Sequence, residues 1–352
     1  MRMNKLKLFH YNFLRVSRHV LGDRNFPRLK LKQESIISSV SSDFETQNTQ
    51  QVLPVKKLRR VKLDEVDFYK EFVKPGIPVV IEGGASDWDC IGKWSPSWLC
   101  EHYGDEPIIY IDSTPEQMEQ KDYSSTLGKF SDVLTGINNG DVTKYIRFSP
   151  LLHDHPELLR DFNANWLKKM RHPFSTGKKL QLFVGPKGSK TDLHAAAEYN
   201  FFTQVYGRKH WYICSPKSDA ALDPLNLGLA YFTSKFNPKF PDFKSFPISK
   251  DIDFHECILE PGDILYNPSS YWHQVENESD SIGVGFRWFN LLGSLQLSTI
   301  QTLLTLTCYN PPIWKAMRYS KRDFSKLQQM FYGASPISET LLRRALEVFQ
   351  CD

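Results

Sequence analysis

Between residues 180 and 288 the chain breaks into short apolar or aromatic runs, at 180–184, 201–206, 210–214, 256–259, 263–266 and 281–288. Glycine or proline punctuates most of the gaps, as in Gly185-Pro186, Ser215-Pro216, Pro261-Gly262 and Asn267-Pro268. Runs this short, closed by turn residues, are strands rather than helices, and many in succession predict a sandwich or barrel. One stretch breaks the rhythm. Residues 216–255 form a long insertion rich in proline and phenylalanine, and loops of that length are usually functional.

The flanks read differently. Residues 1–32 hold nine basic groups against the single acid Asp23, and Leu6, Phe9, Phe13, Val16 and Val20 recur at helical spacing. This composition fits an organellar transit peptide or a disordered basic tail. Residues 33–53 are rich in Ser and Gln and read as a linker. Residues 64–74 and 156–171 have helical spacing, 78–81 and 108–111 read as strands, and Ser95 with Pro96 predicts a helix start. The main domain is expected over 54–290. A helical region then fills 291–352, with Leu297, Ile300, Leu303, Leu304 and Cys308 on one face and a last helix from Ser335 through Phe349.

Charge and cysteine content exclude several classes. The net charge of +4 hides an uneven distribution, because residues 33–352 carry a net of −4. A body of that sign is a poor nucleic-acid binder. No apolar run approaches the roughly 18 residues of a membrane span. Six cysteines without CxxC spacing argue against a disulfide scaffold or zinc knuckle. The location expected is intracellular: organellar if the basic extension is a transit peptide, cytoplasmic or nuclear otherwise.

Two histidines sit at strand ends, His194 after the 180–184 run and His273 beyond Asn267-Pro268. Residues 191–209, TDLHAAAEYNFFTQVYGRK, and 259–288, LEPGDILYNPSSYWHQVENESDSIGVGFRW, resemble the two metal-bearing motifs of the JmjC, cupin-like oxygenases. The similarity is in the style of the small protein hydroxylases such as the asparaginyl hydroxylase of hypoxia-inducible factor. It spans about residues 60–290. The resemblance implies a mainly β fold: a double-stranded β-helix (cupin, jelly-roll) with flanking N-terminal helices and a helical C-terminal tail. It also implies Fe(II) and 2-oxoglutarate as cofactors. Carried over, His194 and His273 are metal ligands and Lys209 pairs with the far carboxylate of 2-oxoglutarate. Thr191, Asn200 and Tyr145 are further co-substrate contacts, with Arg147 and Phe148 beside them.

One position departs from the family. Two residues after His194, where the family has a carboxylate ligand, stands Ala196. Alanine has no donor atom, so the usual triad cannot form. Four readings follow: a pseudo-oxygenase serving as a binding or scaffolding module, rescue by Asp192 or Glu198, halogenation with chloride in the vacated position, or a two-histidine hydroxylase. The retention of His194, His273, Thr191, Asn200 and Lys209 favours an active oxygenase. The implied partners are a protein or small-molecule substrate and a second copy through the C-terminal helices. The aromatic insertion, including Tyr231, Phe232 and Phe236, reads as a substrate wall or a flap over the barrel. His153, Asp154 and His155 read as helix capping.

Overall fold

The computed structural model describes residues 3–23, 25–45, 53–112, 125–149, 151–228 and 230–308. Fifteen strands occur among them. In chain order they are β1 (Val55–Lys57), β2 (Arg60–Val61), β3 (Val79–Ile81), β4 (Pro107–Asp112) and β5 (Ser125–Lys129). Next come β6 (Lys144–Ser149), β7 (Thr176–Gly185), β8 (Lys190–Ala196), β9 (Tyr199–Tyr206) and β10 (Lys209–Cys214). The last are β11 (Tyr231–Thr233), β12 (Phe254–Leu259), β13 (Ile264–Asn267), β14 (Trp272–Asn277) and β15 (Ser281–Phe289). Six form one sheet in the order β1-β12-β10-β14-β8-β11, and nine form the other, β2-β3-β13-β9-β15-β7-β6-β4-β5. From β7 to β10 and again from β12 to β15 the chain alternates between sheets, which is the double-stranded β-helix expected from the sequence.

The barrel interior is apolar at one end. Phe183, Phe202 and Leu265 from the larger sheet meet Trp211, Ile213 and Val275 from the smaller. Close approach there depends on glycine: a Cβ at Gly283 would collide with the Phe202 ring. Gly207 turns β9 into β10 at φ 66°, with the Asp280 carbonyl against the place where a Cβ would be. The outer face of the larger sheet buries the helix at Pro96–Tyr103, whose N-cap Ser95 accepts from the Trp98 amide as the sequence predicts.

Several expectations fail at the edges. Residues 33–53 are not simply a linker: Lys5–Leu21 (α1) and Pro27–Glu45 (α2) form a helical hairpin. Val40 and Ile37 pack with Ile248 and Ala221, which gives the Ser-rich segment an apolar contact its composition conceals. A disordered basic tail is excluded for α1 and α2, because their polar groups are committed. Arg15 pairs with Asp219 at 2.6 Å, and Arg18 binds Asp23 and Gln33. The helix expected over 156–171 is two pieces, Pro156–Asp161 and Ala164–Lys169, separated by the cap Asn163. Asp161 accepts from Trp94 Nε1 and Lys93. His155 is the N-cap of Pro156–Asp161 but makes no side-chain capping bond, and its ring nitrogens lie instead 2.9 Å from Glu106 and 3.2 Å from Glu157. The C-terminal helix is also split, into Leu291–Leu297 (α3) and Thr299–Leu306 (α4), because Ser298 caps the second through the Gln301 amide. Leu304 and Cys308 are buried while Leu303 is exposed. The helix expected from Ser335 through Phe349 lies outside the described residues.

Asp219 joins these parts. One carboxylate oxygen takes Arg15 and the other accepts from Trp272 Nε1 and Gln301 Nε2, each at 2.6 Å. The N-terminal hairpin, the strand carrying His273 and α4 therefore meet at a single buried anion. Removing one partner of such a pair leaves the other charge buried without compensation. Arg15→Met should destabilise the full chain by about 3–5 kcal/mol in urea unfolding; a loss below about 0.5 kcal/mol would show that the pair contributes nothing.

Candidate metal and co-substrate site

The pairing of β8 with β14 places His194 directly opposite His273. Their ring centroids are 4.0 Å apart and both rings are buried. Nδ1 of His194 lies 2.8 Å from the Asp192 carbonyl, and Nδ1 of His273 lies 3.0 Å from the Tyr271 carbonyl. A carbonyl only accepts, so each Nδ1 carries the proton and each Nε2 keeps its lone pair, the tautomer a metal requires. Burial pushes the His273 pKa down to about 4 and, together with His273, holds His194 well below its ordinary value. Both rings are therefore neutral near pH 7. Tyr231 stacks on His194 at 4.8 Å and Trp211 on His273 at 5.4 Å, which fixes the ring planes.

The loop before His273 clamps the end of β8. The Ser270 amide donates to the Ala196 carbonyl at 2.7 Å, and Ser269 Oγ donates to the Ala197 carbonyl at 2.8 Å. Ala196 also pairs with Tyr231 of β11. Its methyl group offers a metal nothing. Among the described residues, no group of three or more His, Cys, Asp or Glu side chains comes together as a metal site.

The two acids weighed as substitutes are placed elsewhere. Alternation alone would put Asp192 on the His194 face, but a register shift intervenes: His273 pairs with His194 while Val275 pairs with Thr191. The extra residue of this bulge breaks the alternation. Asp192 lines a cleft of about 190 Å³ with Lys190, Lys235, Asn237 and Gln274. Glu198 lies 3.7 Å from Arg287 Nη1.

The co-substrate residues do converge. Register places Asn277 opposite Lys209, Val275 opposite Trp211 and Thr191, and His273 opposite Ile213 and His194. Thr191, His194, Lys209, Trp211 and His273 thus share the inner face of the smaller sheet. Lys209 is 1% exposed, with its ammonium 4.9 Å from the Phe202 ring centroid. Among the described residues it makes no hydrogen bond or ion pair to an acid, and a buried cation without an anion is costly. Burial first, and Arg147 second, bring its pKa down to about 7. Arg147 also covers the Tyr145 ring at 4.7 Å and donates to the Lys190 carbonyl. Across the barrel the Asn200 amide is buried with neither polar atom hydrogen-bonded. Trp211, Ser269, Ser270 and Arg287 were not singled out from the sequence. For Trp211 the signal was available, since it lies two residues beyond Lys209 on the same strand face.

Such a barrel, with two histidines facing across paired strands above a buried lysine, defines a cupin-type site. Residues 65–292 match the sequence model of the cupin-like domain, and the chain belongs to that family. Several of the curated proteins it resembles are JmjC proteins. It is 28% identical over 236 residues to JmjC domain-containing protein D of Dictyostelium discoideum, covering 62% of this chain and 53% of that one. It is 29% identical over 242 residues to lysine-specific demethylase 8 of Danio rerio, covering 67% and 59%. It is 24% identical over 257 residues to the 2-oxoglutarate and iron-dependent oxygenase JMJD4 of Mus musculus, covering 64% and 58%. The chain thus spans only a little over half the length of these curated relatives.

The uncompensated lysine has a measurable signature. Its folded pKa of about 7 lies below the ordinary 10.5. Between those values the unfolded chain binds more protons, so this group makes the ligand-free fold gain stability as pH rises from 7 towards 10. Below pH 7 the full penalty applies. Lys209→Met should remove that part of the slope and raise stability at pH 7 by at least about 1 kcal/mol. Denaturation across pH 6–10 checks it, and an unchanged slope would contradict the assignment.

Proposed function

We propose that this chain is an Fe(II)- and 2-oxoglutarate-dependent oxygenase whose metal has only two protein ligands, His194 and His273. The observation that carries this reading is Lys209: a buried ammonium facing the barrel interior, bonded to no acid among the described residues, with the Asn200 amide unsatisfied on the facing sheet. A dicarboxylate supplies the missing anion through a charge-assisted contact. The two imidazoles are already in the ligating tautomer, so the residues present fit the metal. The mouse relative, a 2-oxoglutarate and iron-dependent oxygenase, supports the same chemistry.

When bound, iron and 2-oxoglutarate supply oxygen activation, with the 2-oxoglutarate oxidised to succinate. The chain's own residues fix the geometry around them. Lys209, with Thr191 and Asn200 nearby, orients the co-substrate, and Trp211 and Tyr231 hold the two imidazoles while screening them from water. Ala196 leaves one position to an exogenous group. The product would be a hydroxylated carbon, or a halogenated one were chloride taken up beside Ala196. The substrate is a protein side chain or small molecule bearing an unactivated carbon.

A second reading, a catalytically inactive binding or scaffolding module, is favoured by the missing third donor at Ala196. Anaerobic titration of the full chain with Fe(II) and 2-oxoglutarate separates the two. The active reading expects the visible charge-transfer band of a chelated complex, lost in His194→Ala and weakened in Lys209→Met, with chloride shifting the band if halogenation applies. Ala196→Asp should tighten iron binding by about tenfold or more. Absence of a band at saturating co-substrate, in a chain that folds normally, would leave the inactive reading standing.

A further inference from the structure

A helix on the surface of a globular domain buries its apolar stripe and turns its polar side to water. Helix α1 buries Leu14 among polar side chains and leaves a separate apolar stripe in solvent. Tyr11, Arg15, Arg18 and His19 are all buried against the body. Leu6, Phe9, Phe13 and Val20 are 76%, 69%, 58% and 57% exposed. At 3.6 residues per turn these four fall within an arc of roughly 60°, opposite Tyr11 and Arg18. The helix cannot roll over to hide them, because Arg15 is tied to Asp219 and Arg18 to Asp23 and Gln33.

The surroundings of this stripe are basic. Lys5 and His10 flank it on α1, and the solvent side of α2 presents Arg28, Lys30 and Lys32 around the exposed Leu31. The nearby acids are committed: Asp23 is bonded to Arg18, and Glu34 lies 3.7 Å from Lys30. Charge therefore selects the occupant. A second copy placed by two-fold symmetry would bring the same cations together. Residues 309–352 are no better suited, with seven basic against four acidic side chains. An anionic phospholipid surface complements both features, taking the Phe and Leu side chains at the acyl boundary and the lysines among its headgroups.

We infer that the α1–α2 hairpin is a peripheral membrane-docking element that seats this protein on anionic lipid. The helix lies in the plane of the interface and does not span it. No helix among the described residues is long and apolar enough to cross a membrane.

The test is co-flotation of the full chain with vesicles of phosphatidylcholine alone and of phosphatidylcholine mixed with phosphatidylserine. Flotation with the anionic vesicles, reduced by high salt, is expected. The double variant Phe9→Ser, Phe13→Ser should partition about tenfold less or weaker still. Lys5→Glu with Lys32→Glu should abolish the preference for anionic lipid. All of these side chains point to solvent or lie only partly buried, so an unchanged unfolding midpoint confirms that the variants fold. Failure of the wild type to float with anionic vesicles overturns the inference, as does equal flotation of the phenylalanine variant. A lipid-free dimer that the phenylalanine variant dissociates would assign the stripe to a second copy instead, and also overturns it.

Discussion

The hydrogen-bonded pairing of β8 with β14 is the constraint on which the site depends. Two histidines 79 positions apart in sequence become neighbours only because these strands lie side by side, with Ser269 and Ser270 holding the end of one to the loop preceding the other. The same pairing contains the bulge that turns Asp192 away. A single extra residue thus decides which side chains belong to the interior and which to the surface. The lysine is set by the next pairing outward, β10 against β14, and so shares a face with both imidazoles.

Charge organises the interior as strongly as shape does. Lys209, Arg147 and Arg287 all approach the Phe183–Phe202 end of the barrel, and Glu198 is the acid seen near Arg287. A triad carboxylate would have offset part of this charge as well as ligating. With alanine in its place, Lys209 is buried with no acid bonded to it among the described residues. An anion that bound this lysine would stabilise the fold, which links ligand binding to stability.

The barrel itself was legible because its strands are short, apolar and bounded by glycine or proline. Lys209, His194 and His273 were legible through the motif that carries them. What failed has physical reasons. The Asp192 alternative rested on period-two alternation, and a bulge is invisible to that rule. Residues 33–53 look like a linker because serine and glutamine dominate, yet Ile37 and Val40 supply enough apolar contact to dock the helix. The basic N-terminus was read from composition and helical spacing, neither of which shows that Arg15 and Arg18 find buried partners. Strands β8 and β14 are missing from the apolar runs, because histidine, threonine and glutamine interrupt their apolar character, although both histidines are read at strand ends.

The contact between Arg15 and Asp219 has a consequence for how the molecule is made. The partners are separated by 204 positions. At about 5–20 residues per second, a ribosome releases α1 roughly 10–40 s before the carboxylate that anchors it. Gln301, which donates to the same carboxylate, emerges 82 positions later still. For that interval the helix has one apolar stripe, one cationic face and no body to rest on. The order of synthesis therefore leaves the apolar and basic side chains of this segment uncovered until the barrel that receives Arg15 has been made.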